Sequence, residues 1–220
     1  MKKTIQSINK ETFIISDLHL GHKNILQFEP CRKDAMEKDG FDNHEEWIIY
    51  NWNSVVKETD SVLVLGDFAF KGVQEYINRL NGNIIFILGN HDSAPKGDKW
   101  RNSKVIRGIW PDINDGYITR IYDDMMFEDV LLSGLVIDID DTRYLMCHYD
   151  IFSDDDWDRR NKKIAPRIEY LRKVFDDFDC DMLIHGHVHS LNSKDKDRSI
   201  NVCLEHIGFK PQKIKKFIKG

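Results

Sequence analysis

The chain has 220 residues, of which 41% are hydrophobic and 31% charged, with a formal net charge of -5. That length can bury a core but is short for two independent domains, so one domain over residues 1–220 is the economical organisation. The negative charge argues against charge-driven adhesion to nucleic acid or acidic lipid, without excluding a nucleotide or nucleic acid as substrate. No apolar stretch approaches the ~20 residues that span a bilayer.

The opening MKKTIQSINKETF has lysines but no apolar run with a small-residue cleavage site, so a secretory signal is not expected. Four scattered cysteines (Cys31, Cys147, Cys180, Cys203) form no CxxC pair. Reduced thiols and a cytoplasmic protein are the expectation.

In chain order, short apolar runs begin at Thr12 (TFIIS), Ser61 (SVLVLG), Asn83 (NIIFILGN), Arg143 (RYLMCH), Asp181 (DMLIHG) and Ser199 (SINVC). Each is about the length of a buried strand and rich in Ile, Val or Leu. Helical patterns separate them over residues 44–56, 73–80 and 165–178. In the first, Trp47, Ile48, Trp52 and Val55 share a broad apolar face. This alternation predicts an α/β layered fold. Residues 130–139 lead into RYLMC through DDT, which reads as a hairpin. Residues 93–129 show no sustained period and are expected to be a long loop with a short helix or hairpin. The C-terminal lysines, interleaved with Ile214, Phe217 and Ile218, suggest a snorkelling surface element.

Chemistry gathers where the strands end. TFIIS is followed by Asp17-Leu18-His19, SVLVL by Gly66-Asp67, and IIFIL by Gly89-Asn90-His91-Asp92. RYLMC leads to His148, and DMLI to His185-Gly186-His187-Val188-His189. Asp, Asn and His are ligands of hard-to-borderline metals. In α/β sheets the carboxyl ends of strands line the ligand crevice, so these five points should converge. Taken singly, such an Asp is a turn residue and such a His a hydrogen-bonded structural group. It is the ordered set that points to a metal site.

The series DLH, GD, GNHD, H and GHVH, in that order over residues 17–189, resembles the calcineurin-like metallophosphoesterase superfamily. SDLHLGHKNI, Trp52-Asn53, LNG, HY and NVCLEHIGFKP resemble its small bacterial and phage branch of predicted phosphoesterases. The resemblance implies a four-layer αββα sandwich of two mixed sheets flanked by helices. It implies that Asp17, His19 and His189 hold one divalent metal ion and Asn90, His148 and His187 a second, with Asp67 bridging. Manganese is placed first, with Fe, Zn, Ni and Co as alternatives. Such a pair clamps a phosphate and generates hydroxide at neutral pH. His91 would protonate the leaving group, and Asp92 would orient His91.

His22 and Asn24, in the loop after DLHL, are candidates for substrate contact. Arg159, beside Trp157 in DDDWDRR, suits a nucleotide, although such a segment also reads as a solvated loop. The resulting expectation is hydrolysis of a small or nucleotide-like phosphodiester. The alternatives are a phosphomonoesterase, a nuclease and a non-catalytic scaffold. The lipid A pyrophosphatases of the superfamily carry Arg where this chain has His91. The sequence leaves the oligomeric state open.

Overall fold

The structure is a computed structural model that describes residues 8–92, 105–106, 118–122, 132–190 and 197–218. In the first sheet β1 (Phe13–Ile15), β2 (Ser61–Leu65), β3 (Asn83–Ile87) and β4 (Val105–Ile106) run parallel in that order. β10 (Gln212–Lys213) pairs antiparallel on the outer side of β1. In the second sheet β5 (Ile118–Tyr122), β6 (Leu132–Ile139) and β7 (Thr142–Cys147) are antiparallel, and β8 (Met182–His185) and β9 (Ser199–Asn201) add in parallel. Helices α1 (Ile25–Phe28), α2 (Pro30–Lys38), α3 (His44–Asn53) and α4 (Val73–Arg79) interleave with the first sheet in the chain. Helices α5 (Asp156–Arg160) and α6 (Ala165–Asp177) follow β7.

Period-two alternation sets the layers. Leu135, Ile137, Ile139, Tyr144, Met146 and Ile184 join one core cluster with the first sheet and with α2, α3 and α4. Their alternates Val136, Leu145, Cys147 and Leu183 join a second cluster with Ile168, Leu171, Val174 and Phe175 of α6. All five residues of β2 are buried, as a strand covered on both faces must be. The architecture is therefore an α/β sandwich of two mixed sheets flanked by helices.

Local chemistry accounts for the boundaries. Helix α3 starts where the Asn43 side chain accepts the Glu46 N–H, with Glu45 and Glu46 in its first turn. The β6–β7 hairpin closes on Asp140 (φ 47°) and Asp141 (φ 65°), so Thr142 already pairs with Ile139. The turn has two residues rather than the three of DDT, because two successive left-handed residues match the strand twist. Within 93–129, residues 105–106 and 118–122 are strands, one in each sheet; the rest of that expectation lies outside the described residues. Helices α1 and α2 carry no strong period and were not foreseen.

The C-terminal segment differs from the expected surface element. Ile214 is fully buried, and Phe217 and Ile218 pack on the main core. Lys213 and Lys215 both reach Glu11, each with an Nζ–Oε distance of 2.8 Å. These two ammonium groups hold the Glu11 carboxyl at about 2. A depressed carboxyl stabilises the fold fully above its unfolded pKa of 4.5, and that share is lost as pH falls toward about 2. Glu11→Gln should therefore lower the urea midpoint at pH 7, by a gap that narrows below pH ~4.5 and shrinks in high salt. Urea titrations of both proteins between pH 7 and pH 3 check this.

Candidate metal centre

The two sheets meet at the ends of their strands. Ser16 N–H donates to Val202 O (3.0 Å) and Leu204 N–H to Ser16 O (3.1 Å), joining the end of β1 to the segment after β9. The loop after β1 also zips to the loop after β2: Asp17 N–H to Gly66 O (3.0 Å) and His19 N–H to Asp67 O (2.9 Å). His148, beyond β7, reaches the other sheet, its Nδ1 lying 2.8 Å from Leu65 O. Glycine makes this closeness possible. A Cβ on Gly66 (φ +92°) would lie 2.5 Å from Gly89 N, and one on Gly186 2.0 Å from Ser16 Oγ.

Asp17, His19, Asp67 and His187 all adopt left-handed backbone, with φ between 50° and 69°. Non-glycine residues hold this conformation at a cost and concentrate where it aims a functional side chain. On one side, His19 Nε2 and His189 Nε2 face each other at 3.1 Å, with Asp17 Oδ1 3.7 and 3.4 Å from them. On the other, His148 Nε2 stands 3.0 Å from Asn90 Oδ1 and 3.2 Å from His187 Nδ1. Asp67 Oδ2 lies between, 3.7 Å from His19 Nε2 and 3.7 Å from His148 Nε2. The seven sequence-derived metal residues therefore come together.

The outer nitrogens of three rings are already engaged. His148 Nδ1–H donates to Leu65 O, His187 Nε2–H to Asp158 Oδ1 (2.9 Å), and His189 Nδ1–H to Glu205 Oε1 (3.0 Å). In the neutral tautomers this leaves the inward nitrogens as lone pairs facing other lone pairs. The buried Asp17 Oδ1 has no hydrogen-bond partner. A cluster of acceptors without donors fits a cation. Asp17, His19 and His189 form one group able to hold an ion, and Asp17, Asp67 and His148 another.

The charge distribution points the same way. Burial, with Asp17 and Asp92 nearby, pushes the Asp67 carboxyl well up. Burial also opposes ionisation of Asp17, but His148 and the nearby imidazoles of His189 and His19 hold it well down. Burial alone would lower His189, yet Asp17 and Glu205 raise it to about 10. The pocket thus attracts positive charge.

Four supporting residues were not singled out from the sequence. Arg32 is fully buried and donates to Glu205 Oε1 (2.5 Å), Leu18 O (3.0 Å) and Asp17 O (2.6 Å). Glu205 in turn holds His189, Asp158 holds His187, and Cys203 Sγ lies 3.1 Å from Asp17 Oδ2. Cys203 and Glu205 belong to NVCLEHIGFKP, which was noted as a motif without roles for its residues. Asp158 lies within DDDWDRR, of which only Arg159 was given a role, and Arg32 had no motif context. Tyr149, directly after His148, packs edge-on against both His148 and His187.

His91 is half-exposed, its Nε2 4.0 Å from Asp67 Oδ2. The expectation that Asp92 orients His91 through its side chain does not match the geometry. The Asp92 carboxylate accepts the backbone N–H groups of Asp67 (2.7 Å), Gly89 (2.8 Å) and Phe68 (3.0 Å), so it braces the turn that presents Asp67. His22 sits at the rim, and its Nδ1 accepts the Asn24 N–H at 3.2 Å. Asn24 itself is exposed at the start of α1. Arg159 is exposed on α5 and paired with Asp154.

A model of the calcineurin-like phosphoesterase family matches residues 12–191, and the chain belongs to that family. The family uses divalent metals, and this chain carries the side-chain groups to hold them. An uncharacterized protein of Methanocaldococcus jannaschii is 38% identical over 100 residues, 42% of this chain and 51% of the relative, so the match takes in about half that protein's length. The gene 66 protein of Mycobacterium phage L5 is 26% identical over 191 residues, covering 81% of this chain and 77% of that protein. The crystal structure of a protein of unknown function from Aquifex aeolicus shares the fold, with a TM-score of 0.62 and 24% identity, covering 94% of this chain and 98% of that one. Among the described residues no helix is long and apolar enough to cross a membrane.

The outer hydrogen bonds should set metal affinity. Asp158→Asn and Glu205→Gln are each expected to weaken divalent-ion binding by roughly 10–100-fold, the usual cost of losing such a partner. Titration with Mn²⁺, read by calorimetry on each variant, measures it.

Proposed function

We propose that this single-domain chain is a dinuclear-metal-dependent phosphoesterase, of the cytoplasm, that hydrolyses the phosphodiester of a small or nucleotide-like substrate. The observation that carries this reading is the pair of inward-facing donor groups flanking Asp67 Oδ2. Asp17, His19 and His189 would hold one ion and Asn90, His148 and His187 the other, with Asp67 shared. The mixed N/O donors suit manganese, and also Fe, Zn, Ni or Co. When bound, two divalent cations polarise the phosphoryl group and activate water at neutral pH.

The chain's own residues do the rest. Arg32, Glu205 and Asp158 hold the ligand rings in orientation. Asp92 fixes the Asp67 turn. His91, half-exposed beside Asp67, is placed to give a proton to the departing oxygen. The preference for a diester rests on charge. A monoester dianion favours arginine or lysine on its terminal oxygens, but Arg32 is taken up by Glu205 and main-chain carbonyls, and Arg159 pairs with Asp154. A diester monoanion needs less neutralisation.

Purified protein should bind two divalent ions, and Asp67→Asn should remove most activity because the shared position loses its negative charge; elemental analysis showing no metal affinity would sink the proposal. His91→Ala is expected to lower kcat by roughly 10²–10⁴-fold with metal content intact. That loss should shrink for activated aryl esters, whose leaving groups need no proton, and an equal loss for good and poor leaving groups removes His91 from the role. For the substrate class, kcat/KM for a nitrophenyl phosphodiester should exceed that for the nitrophenyl monoester at matched metal and pH. A large preference for the monoester makes the enzyme a phosphatase instead.

A further inference from the structure

A line of aromatic rings borders the metal centre on the His19 side. Phe70 is 43% exposed and Phe28 64% exposed, although both are fully apolar. They are not scattered. Phe28 lies 5.7 Å (ring centroids) from His22, His22 4.4 Å from Phe70, and Phe70 5.0 Å from His91. Phe70 is also 5.7 Å from His19, a member of the donor cluster. Its ring is tilted only 31° from His91 and 32° from His19, while His22 meets it edge-on at 89°.

This ridge is anchored. Phe70 N–H donates to Leu20 O (2.9 Å), and Ala69 bridges to Leu20, so the loop after β2 cannot swing its ring away without breaking its pairing to the loop after β1. Phe68, two residues earlier, is fully buried; in a strand the two rings would share a face, but the chain has left β2 here and turns Phe70 to the open side. His22 accepts the Asn24 N–H at Nδ1, so its neutral ring carries the proton on Nε2 and offers a donor in the middle of the ridge.

We propose that Phe70 and Phe28, with His22 between them, are the platform on which a nucleobase of the substrate stacks while its phosphate sits at the metal centre. The inference rests on the phosphoesterase reading and narrows its substrate class to nucleotides. Two exposed phenyl rings offer apolar faces on which any base can stack. The imidazole supplies a hydrogen bond at the base edge or sugar. Because the ridge includes His91, the base belongs to the leaving alcohol, the nucleoside side of the ester.

The test is binding to the Mn²⁺-loaded full-length protein, by calorimetry, of AMP, ribose 5-phosphate and inorganic phosphate. Stacking on an aromatic platform is expected to make AMP tighter than ribose 5-phosphate by roughly 5–100-fold. Phe70→Ala and Phe28→Ala, both at exposed positions, should each reduce that advantage and leave ribose 5-phosphate and phosphate affinities unchanged. If phosphate and ribose 5-phosphate bind but AMP gains nothing, or if its advantage survives both substitutions, the platform is overturned and the phosphoesterase reading stands. If none of the three binds, the phosphoester site itself is wrong, and the platform falls with it.

Discussion

Two carboxylates that cannot both be charged in isolation organise this molecule. Asp17 and Asp67 end neighbouring parallel strands, both are buried, and their environments push the two carboxyl groups in opposite directions. A like-charged pair out of water is costly unless cations neutralise it. The surrounding groups are arranged accordingly. The imidazoles of His19, His148, His187 and His189 close around the pair. The only guanidinium in direct contact with this ring of groups among the described residues, Arg32, binds behind them rather than at the mouth. The centre is thus left acidic toward the interior and open to metal.

Holding such a site requires both sheets. His148 from the second sheet hydrogen bonds to Leu65 in the first, and Ser16 pairs with the chain beyond β9. The strain of four left-handed ligand positions is offset by these cross-sheet bonds and by the Asp92 carboxylate, which gathers three backbone N–H groups under the Asp67 turn. Rigidity at the donors follows from the same contacts. The outer nitrogens of His148, His187 and His189 are each fixed by a carbonyl or carboxylate, which settles those tautomers before any ion arrives.

The rim follows a different rule from the floor. The floor is polar and satisfied from behind, whereas the rim combines exposed phenyl rings with weakly basic imidazoles. Beyond β2 the chain leaves strand geometry, burying Phe68 and exposing Phe70, so one short segment supplies the Asp67 carboxylate, a core anchor and a rim ring.

The sequence by itself determined the strand runs, the α/β layering and the seven Asp, Asn and His side chains that converge between the sheets. Buried strands require unbroken apolar runs, and ligands must follow them directly, so both leave a local signature. The place of His91 beside Asp67 was legible from its motif too. The role of Asp92 was not: an acidic residue beside a histidine reads the same whether it touches the ring or the backbone, and only the fold brings the N–H groups of Asp67 and Phe68 to its oxygens. Arg32 lies 173 residues from Glu205 and 157 from His189, on a segment with no spacing to mark it, and nothing in the sequence pairs Asp158 with His187 or Glu205 with His189, so these bonds exist only once the chain has folded. The burial of Ile214 was hidden among lysines for the same reason. Side-chain partnership between separate segments is decided by packing, which local composition does not encode.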